Sequence, residues 1–279
     1  MSDTGFLYIV PTPIGNLQDI TQRAIQVLSE VSAIACEDTR HSRILLEHLG
    51  IKKPTFSIHD HNESQRIELV IERLEKGESL ALISDAGTPL ISDPGYKIVH
   101  ACRKQDLPVV SLPGPCAAIA ALAGSGLPSD TFTFKGFFPV KHQAKQNLAH
   151  TLLTETATSI FYEAPRRILD TLSVLAEMLP AEQNIVVAKE ISKTFETYRY
   201  GSAESVYAWF AAEDVRQKGE FVILVSPGLA QDEALPMAAQ DLLRLLYTEM
   251  PPKKAAGVVA THYGLKKNTL YQWALANLG

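Results

Sequence analysis

Leu80-Ala81-Leu82-Ile83-Ser84-Asp85-Ala86-Gly87-Thr88-Pro89-Leu90-Ile91-Ser92-Asp93-Pro94-Gly95 is the stretch on which the fold class turns. Its first four residues are an unbroken apolar run, the mark of a strand buried on both faces. The run leads into a strand-to-helix turn longer than the usual connection of about two to six residues. Two glycines let the backbone approach a ligand closely, and two prolines hold it rigid there. Turns at the carboxyl ends of parallel strands are where open α/β sheets bind ligands. Two similar turns exist: Val10-Pro11-Thr12-Pro13-Ile14-Gly15-Asn16 after a strand at 6–10, and Leu112-Pro113-Gly114-Pro115-Cys116-Ala117-Ala118 after a strand at 108–111. Three rigid loops after three strands predict one wall of a small-molecule pocket.

Outward from these loops, residues 1–113 alternate strand and helix signals. Ile20, Ala24, Ile25, Leu28 and Val31 form a helical stripe, 31–36 reads as a strand, and 41–49 and 65–74 read as helices around a short strand at 56–58. This is the βαβ signature of a largely parallel sheet in one domain. Residues 114–228 predict a second, mixed α/β domain. Its small-residue helix begins at Ala117, an antiparallel strand is expected at 131–138, and further strands at 158–162, 184–189, 194–200 and 220–225. Helices are expected at 166–179 and 203–212. The cleft between two such domains is a common ligand site. Residues 229–279 form a helical module. Pro236 opens a helix, Pro251-Pro252 ends it, and an alanine-rich helix, Gly264 and an Asn268/Thr269-capped helix make a helix-turn-helix-like layout.

The bulk properties narrow the class. With 46% hydrophobic and 20% charged residues, the 279-residue chain has the balance of a globular enzyme. No apolar run reaches the roughly 20 residues of a membrane helix, and the polar start MSDTG does not read as a signal peptide. Cys36, Cys102 and Cys116 lack metal-like spacing and read as reduced thiols of a cytoplasmic protein. The net charge of −5 is unevenly spread. Residues 251–279 carry Lys253, Lys254, Lys266 and Lys267 and no acidic residue, which leaves −9 for the rest. A basic tail on an acidic body fits a module that meets a polyanion, and equally a solvated helical surface.

Neither GxGxxG nor GxxxxGK[ST] occurs, so the usual dinucleotide and P-loop signatures are absent. Loops rich in proline and short of Lys and Arg suit an adenosyl ligand with little phosphate. The PTPIGN, SDAGTPLISDPG and LPGPCAA segments resemble the cofactor loops of tetrapyrrole-methylase-fold (class III) S-adenosylmethionine methyltransferases. Cys36-Glu37-Asp38-Thr39-Arg40-His41, His59-Asp60-His61-Asn62-Glu63, Phe161-Tyr162-Glu163, Lys189-Glu190-Ile191-Ser192-Lys193-Thr194 and Lys218-Gly219-Glu220 resemble one branch, the small-subunit ribosomal RNA cytidine 2′-O-ribose methyltransferases. The resemblance runs from about Leu7 to the C-terminus. It implies a homodimer of two α/β domains with S-adenosylmethionine in the interdomain cleft, acting on the decoding region of 16S rRNA in the small ribosomal subunit. Pro13, Gly15, Asp85, Gly87, Pro89, Leu90, Ile91, Pro113 and Gly114 would bind the cofactor from the first domain. Cys116, Ala117, Tyr162, Ile191, Gly219 and Glu220 would do so from the second. Cys116 and Ala117 stand where many relatives of the fold carry hydroxyl residues.

A ribose hydroxyl is a weak nucleophile and benefits from a base or a cationic stabiliser. Asp38 is the candidate base and Arg40 a phosphate ligand, with His59 and His61 as alternatives; Glu37-Asp38 capping a helix and pairing with Arg40 reads equally well. Two histidines on one face without a third ligand do not make a metal site, and none is expected. Arg166, Arg167, Lys253, Lys254, Lys266 and Lys267 are the candidate RNA-phosphate contacts, and Tyr271 and Trp273 read as core of the helical module. Two alternatives stand beside this reading: a precorrin methylase of the same fold, which has no need of a basic helical module, and a ligand-sensing helix-turn-helix regulator.

Overall fold

A computed structural model describes residues 4–59, 62–229 and 235–278. The chain divides into two compact units, Met1–Gly228 and Leu229–Gly279. The first unit opens with β1 (Leu7–Ile9), α1 (Gln22–Glu30), β2 (Ala33–Cys36), α2 (Thr39–His48), β3 (Thr55–Ser57), α3 (Glu63–Glu75), β4 (Leu80–Ile83), α4 (Tyr96–Lys104) and β5 (Val109–Ser111). Their strands form a wholly parallel sheet in the order β3-β2-β4-β1-β5. Strand alternation sorts its two faces. Leu7, Ile9, Leu80 and Leu82 pack with Val70, Leu74, Ile98 and Cys102 of α3 and α4, whereas Ile34, Cys36, Ala81 and Ile83 pack with Val27, Leu28 and Leu46 of α1 and α2.

One helix here is implied by the strand-to-helix turn but given no bounds in the sequence reading. α4 starts at Gly95, which offers no side-chain cap. Its exposed backbone N–H groups are met instead from α3, where buried Glu63 accepts from the amides of Gly95 (3.0 Å) and Lys97 (2.8 Å). A cap supplied from 32 residues away leaves no local start signal.

The rest of the first unit holds α5 (Ala117–Ser125), β6 (Phe132–Phe137), α6 (His142–Leu152), β7 (Thr158–Glu163), α7 (Ile168–Met178), β8 (Asn184–Lys189), β9 (Thr197–Ser202), α8 (Ala203–Ala211) and β10 (Phe221–Val225). The second sheet runs β6-β7-β10-β8-β9. β6, expected to be antiparallel, pairs parallel with β7; the other neighbours are antiparallel. Intervening α6 supplies the crossover that a parallel pair needs. α6 also escapes the sequence reading, because its inward stripe of Lys145, Ala149 and Leu152 begins with a fully buried lysine. One face of this sheet packs on α6, α7 and α8 through Phe161, Leu172, Ile223 and Phe210. The other packs on α5, whose Ala118 and Ala121 let the helix lie close to Ile160, Val186 and Leu224.

Among the described residues the second unit is three helices, α9 (Met237–Glu249), α10 (Pro252–Tyr263) and α11 (Lys267–Leu278), around Leu243, Ala255, Ala256, Val259, Leu270 and Ala274. Gly264 closes α10 in the left-handed conformation at φ 67°, as the expected turn requires. Tyr271 and Trp273 pack against this core. Among the described residues, no helix is long and apolar enough to cross a membrane.

Candidate functional site

β4, β1 and β5 are consecutive in the sheet, so the three glycine- and proline-rich loops leave it side by side. They are stitched together by backbone. Thr12 and Gly87 exchange amide–carbonyl hydrogen bonds of 2.8 and 3.0 Å, and the Thr88 hydroxyl donates to the Pro115 carbonyl at 2.8 Å. Gly87 sits at φ 81°, and a Cβ there would meet Ile14 at 3.3 Å. Leu90 and Ser92 also hold left-handed backbone, at φ 74° and 69°. A bulky residue in that region costs on the order of 1–3 kcal/mol, and such strain gathers at ligand sites. The Leu90 side chain, packed into the core, and the Glu63 cap beyond Gly95 hold the strained segment.

These loops face the second sheet across a cavity of about 370 Å³. Ile14, Glu37, Asp85, Gly87, Thr88, Ile91, Ser92 and Asp93 line it from one side; Ala117, Phe137, Tyr162, Glu163, Ile191, Glu220 and Val222 line it from the other. Among the described residues, five of those lining the cavity are carboxylates and none is Lys or Arg. The cations stand outside the wall. Arg167 binds buried Glu163 at 2.6 Å, and Thr171 and Lys145 continue that chain at 2.5 and 2.7 Å. Lys193 bridges Glu190 (2.8 Å) and Glu220 (2.9 Å). Burial alone would raise the Glu190 carboxyl; Lys193 and the Glu220 amide bring it below its ordinary value. Gly219, at φ 106°, leaves room for the Glu190 carboxylate where a Cβ would clash at 2.6 Å. The Lys189–Thr194 and Lys218–Glu220 segments therefore interlock as one support.

Across the cavity, the Tyr162 hydroxyl accepts from the Ala118 amide at 3.3 Å, and burial pushes its phenol well above the ordinary value. It stays neutral at any physiological pH and serves as a fixed dipole on an apolar floor. A carboxylate-rich, partly apolar cavity without a lining cation suits a compact ligand of net positive charge. It repels phosphates and polycarboxylates.

Of the residues expected to bind cofactor, Asp85, Gly87, Ile91, Ala117, Tyr162, Ile191 and Glu220 line this cavity. Gly114 and Cys116 line an adjoining pocket with Asn16, Asp19 and Ser192. There, Ser192 bonds Asp19 and accepts from the Asn16 amide at 3.1 Å, tying the first loop to the second sheet's side. Pro13, Gly15, Pro89, Leu90, Pro113 and Gly219 do not line the cavity but shape the loops that do; Gly15, for example, lies against Lys193. The sequence reading misses Ile14, Glu37, Ala86, Thr88, Ser92, Asp93, Phe137, Glu163, Phe221 and Val222 as lining residues. Most sit inside the quoted motifs, one or two positions from a predicted residue.

The catalytic candidates divide. Asp38 is the N-cap of α2 and holds Arg40 at 2.8 Å; these hydrogen bonds lower its carboxyl to about 2. Its own amide donates to Asp85 at 3.3 Å, so the pair stands beside the cavity while Glu37 faces it. Arg40 keeps 86% of its side chain exposed. His59 follows β3, bonded to Asn62, and does not line the cavity. His61 lies outside the described residues. Among the described residues no group of three or more His, Cys, Asp or Glu is arranged to hold a metal ion. Arg166 is exposed, whereas Arg167 is committed to Glu163. Lys253 and Lys266 lie on the surface of the second unit. Between α10 and α11 a groove is lined by Lys254, Gly257, Val258, Thr261, His262 and Lys267. The missing side chain at Gly257 lets the Lys267 ammonium lie within 3.4 Å of its Cβ position.

Comparison with known proteins agrees with this architecture. Residues 6–207 match the family of Tetrapyrrole (Corrin/Porphyrin) Methylases, and residues 233–278 match the RsmI C-terminal HTH domain. The chain is 48% identical to Ribosomal RNA small subunit methyltransferase I of Escherichia coli, over 99% of this chain and 96% of the relative. It is 50% identical to the protein of the same name from Haemophilus influenzae, over 99% and 98%. Among solved structures, uroporphyrin-III-C-methyltransferase from Thermus thermophilus superposes with a TM-score of 0.55 at 20% identity, over 80% of this chain and 94% of that one. A diphthine synthase does so at 0.59 and 12%, over 80% and 90%. At such identities these two establish the shared fold alone.

Proposed function

Because the chain belongs to the tetrapyrrole methylase family, in its ribosomal RNA small subunit methyltransferase I branch, we propose that it methylates the ribose 2′-hydroxyl of a cytidine in the decoding region of 16S rRNA. S-adenosylmethionine would occupy the acidic cavity and supplies a methyl group already activated on a sulfonium. The observation that carries this reading is the lining: five carboxylates, no cation, and apolar patches at Ile14, Ile91, Ala117, Ile191 and Val222. That set fits a cationic adenosyl ligand, and it disfavours a carboxylate-bearing macrocycle as the acceptor.

The protein's own contribution is to bind, orient and keep water away. The backbone stitching of the three loops fixes the cavity before any ligand arrives. A carboxylate held at about 2 is a poor proton acceptor, so Glu37, which faces the cavity, is better placed than Asp38 to take the hydroxyl proton. Asp38 orients the exposed Arg40, whose guanidinium would be free to meet a backbone phosphate. Arg166 and the lysines of the second unit add sequence-independent phosphate contacts. In the cell we place the protein in the cytoplasm, as a homodimer acting on the small ribosomal subunit.

The test is methyl transfer from labelled S-adenosylmethionine to small ribosomal subunits of a strain lacking the gene, mapped by nuclease digestion and mass spectrometry. A single ribose-methylated cytidine supports the reading. Cofactor binding with label on a small acceptor or on a base would overturn the RNA-ribose assignment.

A further inference from the structure

The cavity wall contains one residue whose placement the methyl-transfer chemistry does not explain. In an unbroken strand Phe134 and Phe137, three positions apart, would face opposite sides of the sheet. The β6–β7 register slips between them, where Gly136 adopts φ 70°. As a result both rings meet Tyr162 edge-on, at centroid distances of 4.9 and 5.7 Å. Bulges re-aim side chains near active sites, and here the re-aimed ring is delivered to the cavity. Phe137 remains 53% exposed, while Phe138 beside it is 1% exposed. Leaving a phenyl ring half in water forgoes apolar burial, which a core role would have secured. The ring is also held in place: the Arg167 guanidinium, fixed by its ion pair with Glu163, stands over it at 6.0 Å from the centroid.

We propose that Phe137 is a stacking platform for the nucleobase whose ribose is methylated. Single-stranded RNA bases drawn out of their stack are held on aromatic faces, a mode that tolerates any base. Such a platform fixes the sugar at the cavity mouth without reading the base edge. The proposal rests on the RNA methyltransferase reading above.

The experiment compares wild type with Phe137→Ala, Phe137→Leu and Phe137→Trp. Steady-state methylation of small ribosomal subunits is measured, together with S-adenosylmethionine affinity by calorimetry. Alanine and leucine should raise KM for the subunits about 10- to 100-fold, with kcat changed far less, and tryptophan should restore it. Cofactor affinity should stay within about threefold of wild type in all three, which also reports folding. Full activity in Phe137→Leu would mean an apolar wall rather than a platform and would overturn the proposal. Loss of cofactor affinity in step with KM would overturn it too, by assigning the ring to the cofactor. Absence of transfer by the wild type would instead remove the RNA reading, and this proposal with it.

Discussion

The cavity of the first unit and the α10–α11 groove of the second are opposites in charge. Among the described residues, five carboxylates and no lysine or arginine line the first; two lysines, a histidine and no carboxylate line the second. A net charge of −5 hides this sorting completely. A small cation and a long polyanion would demand contrary fields, and the chain keeps two such fields on separate units. Arg167 and Lys193 obey the same rule: each pairs with a wall carboxylate, Glu163 or Glu220, without lining the cavity itself.

Placing a cation inside the acidic site should break the contrast most severely. Gly87→Arg combines a side chain in left-handed backbone, a contact with Ile14 and a positive charge. It should abolish S-adenosylmethionine binding by calorimetry, and an unchanged affinity would remove that loop from the site. Next comes Arg167→Ala, which removes the guanidinium paired with the buried Glu163 carboxylate. Breaking a buried pair costs about 3–5 kcal/mol, so denaturant melts should show a loss of that order. Asp85→Asn keeps the acceptor for the Asp38 amide and deletes only charge. It should weaken cofactor binding roughly tenfold without moving the melting temperature appreciably.

On the basic side, Lys254→Glu with Lys267→Glu should lower the salt dependence of RNA binding by about one to two units in log–log slope. Cofactor affinity should not change, and an equal loss of both would mean that the groove is structural. The smallest effect is expected at Asp38. Its carboxyl, lowered to about 2, contributes stability above the ordinary carboxylate value and loses it as pH falls from that value through about 2. Asp38→Ala should therefore leave the shape of the rate profile between about pH 5 and 9 unaltered while weakening the α2 cap. A lost acidic limb would restore Asp38 as the base.

The loops are legible in the sequence because glycine, proline and apolar runs act locally. Val10–Asn16 and Ser84–Gly95 announce a pocket wall, and that wall is formed by neighbouring strands. What escapes the sequence is supplied from a distance. α4 is capped by Glu63, and α6 hides behind a lysine that is buried only because Asp170 and Thr171 receive it. Glu37 and Asp38 are adjacent in sequence, yet only the first faces the cavity. Capping chemistry claims the second, an outcome the sequence allows as readily as catalysis. Phe137 is invisible as a wall residue because one glycine in β6 inverts the alternation from which its direction would be read.

The stitching of the three loops also sets how much of the chain the pocket requires. The Thr12 hydroxyl donates to the Ser84 carbonyl across 72 residues, and Thr88 reaches Pro115 across 27. All four partners are present only once the chain has reached Pro115, and parallel sheets with such long closures assemble slowly. The opposite wall of the cavity reaches Val222, so the pocket is complete only when most of the chain has been made. Its ligand should act as a conformational witness, bound only by chains whose topology is complete, so that truncated or misassembled copies remain silent rather than half-active.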